Sequence, residues 1–73
     1  MVEALALVEL DSIARGLVVL DALVKRSPVR VLEANLIEPG RYLILFAGGV
    51  AEVSESLEAC RESAENSLLD QMF

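Results

Sequence analysis

The stretch from Leu32 to Val50, LEANLIEPGRYLILFAGGV, constrains the fold more than any other part of this 73-residue chain. Two apolar runs flank Pro39-Gly40, and Gly48-Gly49 then leads into a helical pattern. Proline presets φ near about −65° and glycine accepts positive φ, so Glu38 to Arg41 reads as a type II turn. Type II turns splay their strands and do not close the tightest two-residue hairpin. The sequence therefore predicts a slightly wide hairpin whose tip carries Glu38 and Arg41 outward, into solvent or into something the protein encloses.

The rest of the chain arranges itself around that hairpin. Ala4 to Leu10 (ALALVEL) is a short apolar run bounded by Asp11-Ser12, the pattern of a central strand buried on both faces. Glu9 shares a face with Leu5 and Leu7, as a strand-end carboxylate; as a catalytic acid it would lack a partner. Asp11 or Ser12 caps a helix, because either side chain can accept from the free amides of the first turn. Ile13, Leu17, Leu20 and Val24 form one seam along that helix, widened by Leu23. Gly16 costs about 1 kcal/mol relative to alanine inside a helix, which close backbone packing would explain. Lys25 and Arg26 suit the negative end of the helix dipole, and Ser27-Pro28 ends the helix.

Val29 to Leu36 reads as a half-exposed strand, and Tyr42 to Ala47 as the second hairpin arm, broken by Gly48-Gly49. A second helix is expected from Val50 to Asn66, with Val50, Val53, Leu57, Cys60 and Ala64 as its seam. Glu52, Glu55, Glu58, Glu62 and Glu65 then make a solvated face. Leu68 to Phe73 completes the pattern as a last strand. The order β-α-β-β-α-β is the α+β, ferredoxin-like plan, an antiparallel sheet with two helices on one face. Its other face needs a cover that this chain does not supply.

Composition sharpens that point. Chains of this length bury only about 60% of the surface their unfolded state exposes, so they usually need staples or partners. One cysteine cannot form an internal disulfide, and a chain without histidine is poorly equipped for zinc. Yet 55% of the residues are hydrophobic and the mean hydropathy is +0.53. The surplus apolar surface calls for association. A net charge of −6 without a basic stripe argues against nucleic acid. No apolar run approaches the roughly 20 residues that cross a bilayer. Met1-Val2-Glu3 lacks the basic region of a signal peptide, which points to the cytoplasm.

Catalytic chemistry is thin. Without histidine there is no Ser/His or Cys/His nucleophile pair. Gly48-Gly49 before a helix lacks the Lys-Ser/Thr continuation of a phosphate-binding loop. Cys60, on a helix seam, reads as a small buried hydrophobe. No catalytic or metal-binding residue is expected, and the chain does not read as an enzyme.

ALALVEL at residues 4–10, Ser12-Ile13-Ala14-Arg15-Gly16, DALVKRSPV at 21–29, Pro39-Gly40-Arg41-Tyr42-Leu43 and FAGGVAEV at 46–53 resemble, in one register, the bacterial microcompartment shell proteins. The tandem-domain, trimeric shell proteins, and their first domain in particular, provide the best likeness. The resemblance implies a single shell-protein domain over residues 1–73, in the family's variant of the βαββαβ plan. It also implies flat hexameric or pseudohexameric tiles with a central pore for small metabolites, packed with other shell proteins around enzymes in the bacterial cytoplasm. Nucleic acid and membrane are not among the implied partners.

By the same resemblance Ile37, Glu38, Pro39 and Gly40 match the pore-lining loop, and Lys25 matches the lysine at the tile edge. A ring of Glu38 carboxylates would favour cations over anions and raise some of its own pKa values. Some tandem members carry a cysteine in this loop and hold an iron–sulfur cluster on the three-fold axis. Here the position is Glu38, so no cofactor is expected. The chain is C-terminally truncated relative to the family, which fits either a piece of a longer or tandem-domain protein or a short stand-alone member. A second function class, a ferredoxin-like small-molecule-sensing regulatory domain, predicts dimers with a ligand at the interface instead of rings.

Overall fold

The computed structural model describes residues 3–37, 40–65 and 68–72. The elements follow the expected order: β1 (Glu3–Leu10), α1 (Ile13–Arg26), β2 (Arg30–Ile37), β3 (Arg41–Gly49), α2 (Val50–Ala64) and β4 (Leu68–Met72). They form a four-stranded antiparallel sheet in the order β2-β3-β1-β4, with both helices packed on one face. That is the α+β, ferredoxin-like arrangement.

Strand pairing fixes which residues share a face, since directly paired residues point the same way. Ala6 opposes Phe46, Val8 opposes Ile44 and Leu10 opposes Tyr42 across β1 and β3. All six are buried. With Val19 and Leu23 of α1 and Val53, Leu57, Cys60 and Ala64 of α2 they make one continuous core. Each fully buried aliphatic or aromatic side chain contributes about 1.5–3 kcal/mol.

β1 is central but is buried on one face only: Leu5 on the opposite face is 57% exposed and Leu7 and Glu9 are half-buried. The short apolar run therefore misleads about burial, because among the described residues no second layer covers that side. Glu9 does share its face with Leu5 and Leu7, as the alternation predicts.

α1 starts at Ser12, whose Oγ accepts from the Arg15 amide at 3.2 Å, and ends at extended Ser27 before Pro28. Of the expected seam, Leu23 is buried and Leu20 packs against the core, but the other three residues do not face it. Gly16, Val19 and Leu23 are the buried residues, while Ile13, Leu17 and Val24 are exposed. The four-three-four spacing is real but points elsewhere. Gly16 is required by a close approach: a Cβ there would lie 2.5 Å from the Tyr42 ring.

β3 continues through Gly48-Gly49 instead of breaking at them, and α2 begins at once with Val50. An extended backbone needs no side chain, so the glycine pair is tolerated within a paired strand. α2 ends at Ala64, where Glu65 has φ 56°, and Asn66, the expected end, lies outside the described residues. Val53, Leu57, Cys60 and Ala64 of the expected seam are buried, whereas Val50 is exposed at the first turn.

A small polar network joins the helices. Buried Ser56 donates to the Leu23 carbonyl at 2.8 Å, and Ser27 Oγ faces both the Glu52 carbonyl at 2.6 Å and Ser56 Oγ at 2.8 Å. Ser56 thus satisfies its hydroxyl inside the core while ending α1 against α2. Arg15 pairs with Glu65 at 2.9 Å and donates to the Ser63 carbonyl at 3.1 Å, and Arg26 pairs with Glu62 and Glu55. The contact with Glu62 holds the Arg26 guanidinium above its usual pKa.

Candidate functional site

The candidate functional features are the hairpin end, the far end of α1 and the exposed face of the sheet. At the hairpin, Ile37 pairs with Arg41, which leaves residues 38–40 to make the connection. Gly40 has φ 72°, the left-handed conformation that the Pro-Gly pair predicts, and it is exposed with open space where a Cβ would be. Ile37 is half-buried at the strand end. Glu38 and Pro39 lie outside the described residues, so the predicted acidic position is not placed. Arg41 does not project freely from the tip. It lies back along the sheet to pair with Glu9 at 2.9 Å.

Lys25 is exposed in the last turn of α1 and pairs with Asp21 one turn earlier at 2.9 Å. The topology sets it far from the hairpin. β1 runs toward the hairpin, with Leu10 opposite Tyr42. α1 then returns along the sheet and ends beside the start of β2, where Arg30 opposes Ala47. Ile37 and Gly40 are therefore grouped at one end of the domain and Lys25 sits at the other.

The open face carries Leu5, Leu7 and Glu9 from β1, Arg41, Leu43, Leu45 and Ala47 from β3, Arg30, Glu33, Asn35 and Ile37 from β2, and Met72 from β4. Leu5, Ala6, Leu7, Leu45 and Met72 line a shallow apolar groove of about 330 Å³ on it. Ion pairs bracket the apolar strip. Arg30 reaches across β3 to grip both oxygens of Glu3 at 2.7 and 2.9 Å, over buried Ala47. Arg41 and Glu9 do the same work at the other end. The Arg30 hydrogen bonds, with its charge, hold the Glu3 carboxyl below its usual pKa.

Sequence reading missed these cross-strand pairs, because each joins residues about thirty positions apart whose register only the fold supplies. It also missed buried Ser56, which looks like one more polar residue on a polar helix. Cys60 is where the seam predicts, and burial pushes its thiol up to about 12. Among the described residues no cluster of three or more His, Cys, Asp or Glu side chains could hold a metal ion. No helix among them is long and apolar enough to cross a membrane.

A layer of two helices on one sheet face, with the other face apolar and uncovered, is the architecture of a domain that completes itself by packing on others. The family model described as the BMC domain matches residues 4–73. The chain belongs to that family. It is 32% identical over 72 residues to the bacterial microcompartment shell protein PduT of Citrobacter freundii, covering 99% of this chain and 39% of that protein. It is 31% identical over 65 residues to the shell protein EutK of Salmonella typhimurium, covering 89% of this chain and 40% of that protein. A solved structure of a microcompartment protein from Desulfitobacterium hafniense superimposes with a TM-score of 0.95 at 42% identity, over 99% of this chain and 40% of the other. The chain thus spans about two fifths of the length of these relatives.

Proposed function

We propose that this chain is a structural, non-enzymatic subunit of a bacterial microcompartment shell in the cytoplasm. Copies of the domain form cyclic hexameric or pseudohexameric tiles that pack with other shell proteins and leave a central pore for small metabolites. One observation carries the reading: a BMC-family domain presents an uncovered apolar sheet face, with Ile37 and Gly40 at one end and Lys25 at the other. A tile needs that polarity, because the end that lines the pore cannot also be the end that meets the next tile. Glu38 and Pro39 complete the pore loop in this reading, Glu38 supplies an acidic ring that favours cations, and Lys25 contacts the neighbouring tile. With Glu38 where a cluster-binding cysteine would be needed, the tile holds no iron–sulfur cluster. The small-molecule-sensing alternative draws no support from the family match.

Native mass spectrometry across a range of concentrations tests the assembly. Hexamers, or trimers of a longer tandem form, followed by flat sheets in electron micrographs, are the expected result. A species that stays monomeric or dimeric at all concentrations overturns it. Glu38→Gln is expected to weaken cation preference while leaving assembly intact, and loss of assembly in that variant would make Glu38 structural.

A further inference from the structure

The hairpin end carries a cation that the fold turns away from it. Arg41 opens β3 and faces Ile37, so its backbone sits at the tip. Its guanidinium runs inward along the open face to Glu9, at 2.9 Å. Glu9 lies opposite Leu43, two residues further from the tip, which is about 7 Å at the strand rise. Asp11, just beyond the end of β1, is an exposed carboxylate nearer the tip, yet Arg41 does not pair with it. Burial explains the choice. The Glu9 side chain is only 22% exposed, and a shielded carboxylate needs a partner more than a hydrated one does. The pattern is general in this chain: all six lysines and arginines are tied to carboxylates of the same chain. Arg41 is the one whose release would change the charge of the open face at the hairpin end.

We infer that Glu9 is a positioning residue for ion preference: it draws Arg41 back from the hairpin end and keeps positive charge away from the pore mouth. This role presupposes the pore proposed above and adds to it a residue on a different strand from the hairpin. The distances make the effect large enough to matter. At physiological ionic strength the screening length is about 8 Å, so a retreat of about 7 Å weakens the repulsion of Arg41 on a cation at the tip roughly two- to threefold. Glu3 and Arg30 form the same kind of pair at the other end of the open face. They lie about 20 Å along β1 from Glu9, more than two screening lengths away, and serve as an internal control. Partly exposed ion pairs add little to stability, so either pair can be broken in a folded chain.

The test uses the full chain with Glu9→Ala, Glu9→Asp and Glu3→Ala, each checked for native circular dichroism. Proton NMR comes first and needs no assembly. Nuclear Overhauser contacts from the Arg41 side chain to residue 9 and Leu43 are expected in the unaltered chain, lost in Glu9→Ala and kept in Glu9→Asp. The second readout is the reversal potential of single pores in a planar bilayer under a potassium chloride gradient. Glu9→Ala is expected to lower the potassium-over-chloride permeability ratio by at least about twofold, and more at low salt. Glu9→Asp should restore most of it, and Glu3→Ala should leave it unchanged. Arg41 contacts with Leu43 that survive in Glu9→Ala overturn the positioning role. So does a ratio that ignores Glu9→Ala, or one that falls equally in Glu3→Ala. If pores form and only their response to Glu9 is missing, the shell reading stands and this role fails. If the unaltered chain forms no pore, the pore reading fails and takes this role with it, even where the Arg41 contacts are seen.

Discussion

The two faces of the sheet are made from the same strands and nearly the same residue types, yet they have opposite fates. On the helix side of β1, Ala6, Val8 and Leu10 are sealed under α1 and α2. On the other side Leu5 and Leu7 meet a shallow groove, and the charges nearby are tied to one another instead of to solvent-facing partners. The first face is finished within the chain. The second has the composition of a core with its lid missing, which is how a subunit differs from a self-sufficient domain. The lesson is that alternation and hydrophobicity say a surface will be buried, and say nothing about which molecule buries it.

The sharpest way to break this contrast is to make the same change on both faces of β1. Leu10→Ala is expected to cost about 2–5 kcal/mol, the range for emptying a packed core site. Leu5→Ala should change the stability of the isolated domain by less than about 0.5 kcal/mol. Chemical denaturation under monomeric conditions measures both. Equal costs would mean that the open face is covered within the chain after all.

Gly16→Ala probes the helix side more finely. The new Cβ would sit 2.5 Å from the Tyr42 ring. Overpacking of about 1–3 kcal/mol should outweigh the roughly 1 kcal/mol gained in helix propensity. A stabilised variant would show that Tyr42 can step aside.

Cys60, with its thiol pushed up to about 12 by burial, should react with a thiol reagent at neutral pH only as fast as the domain opens. Reaction at the rate of a free thiol in native buffer would contradict a sealed helix side.

The smallest effect belongs to the open face. Glu3 titrates below its ordinary 4.5 because Arg30 stabilises the carboxylate. Its contribution to stability is therefore complete above the unfolded value and fades as pH falls through the lowered folded one. Carbon-13 NMR of the Glu3 carboxyl should show a depressed midpoint that Arg30→Ala returns toward the ordinary value. An unchanged midpoint would mean that the pair is not held in solution.

Much of the architecture was legible in residues alone. Ser12 and Pro28 bracket α1, Pro39-Gly40 announces the hairpin, and Val53, Leu57, Cys60 and Ala64 trace the buried side of α2. The failures are equally specific. The seam Ile13, Leu17, Leu20 and Val24, widened by Leu23, reads as core because periodicity reports an apolar stripe; the helix buries Leu23 with Gly16 and Val19, packs Leu20 against them, and turns Ile13, Leu17 and Val24 outward. Gly48-Gly49 reads as a break because glycine weakens strands in isolation, but pairing with Ala4 and Glu3 holds it extended. Of the expected site, Ile37, Gly40 and Lys25 are positioned, and their separation to opposite ends of the domain was not visible in their spacing.

Local chemistry, then, determined what depends on neighbours in the chain: caps, turn, element order, and the excess of apolar side chains that asks for company. Only the tertiary structure decided which of those side chains the chain buries for itself. It alone brought Glu3 to Arg30 and Glu9 to Arg41. Those outcomes depend on strand order and register, which bring together residues far apart in sequence, and no local pattern encodes which of two apolar faces a helix will cover.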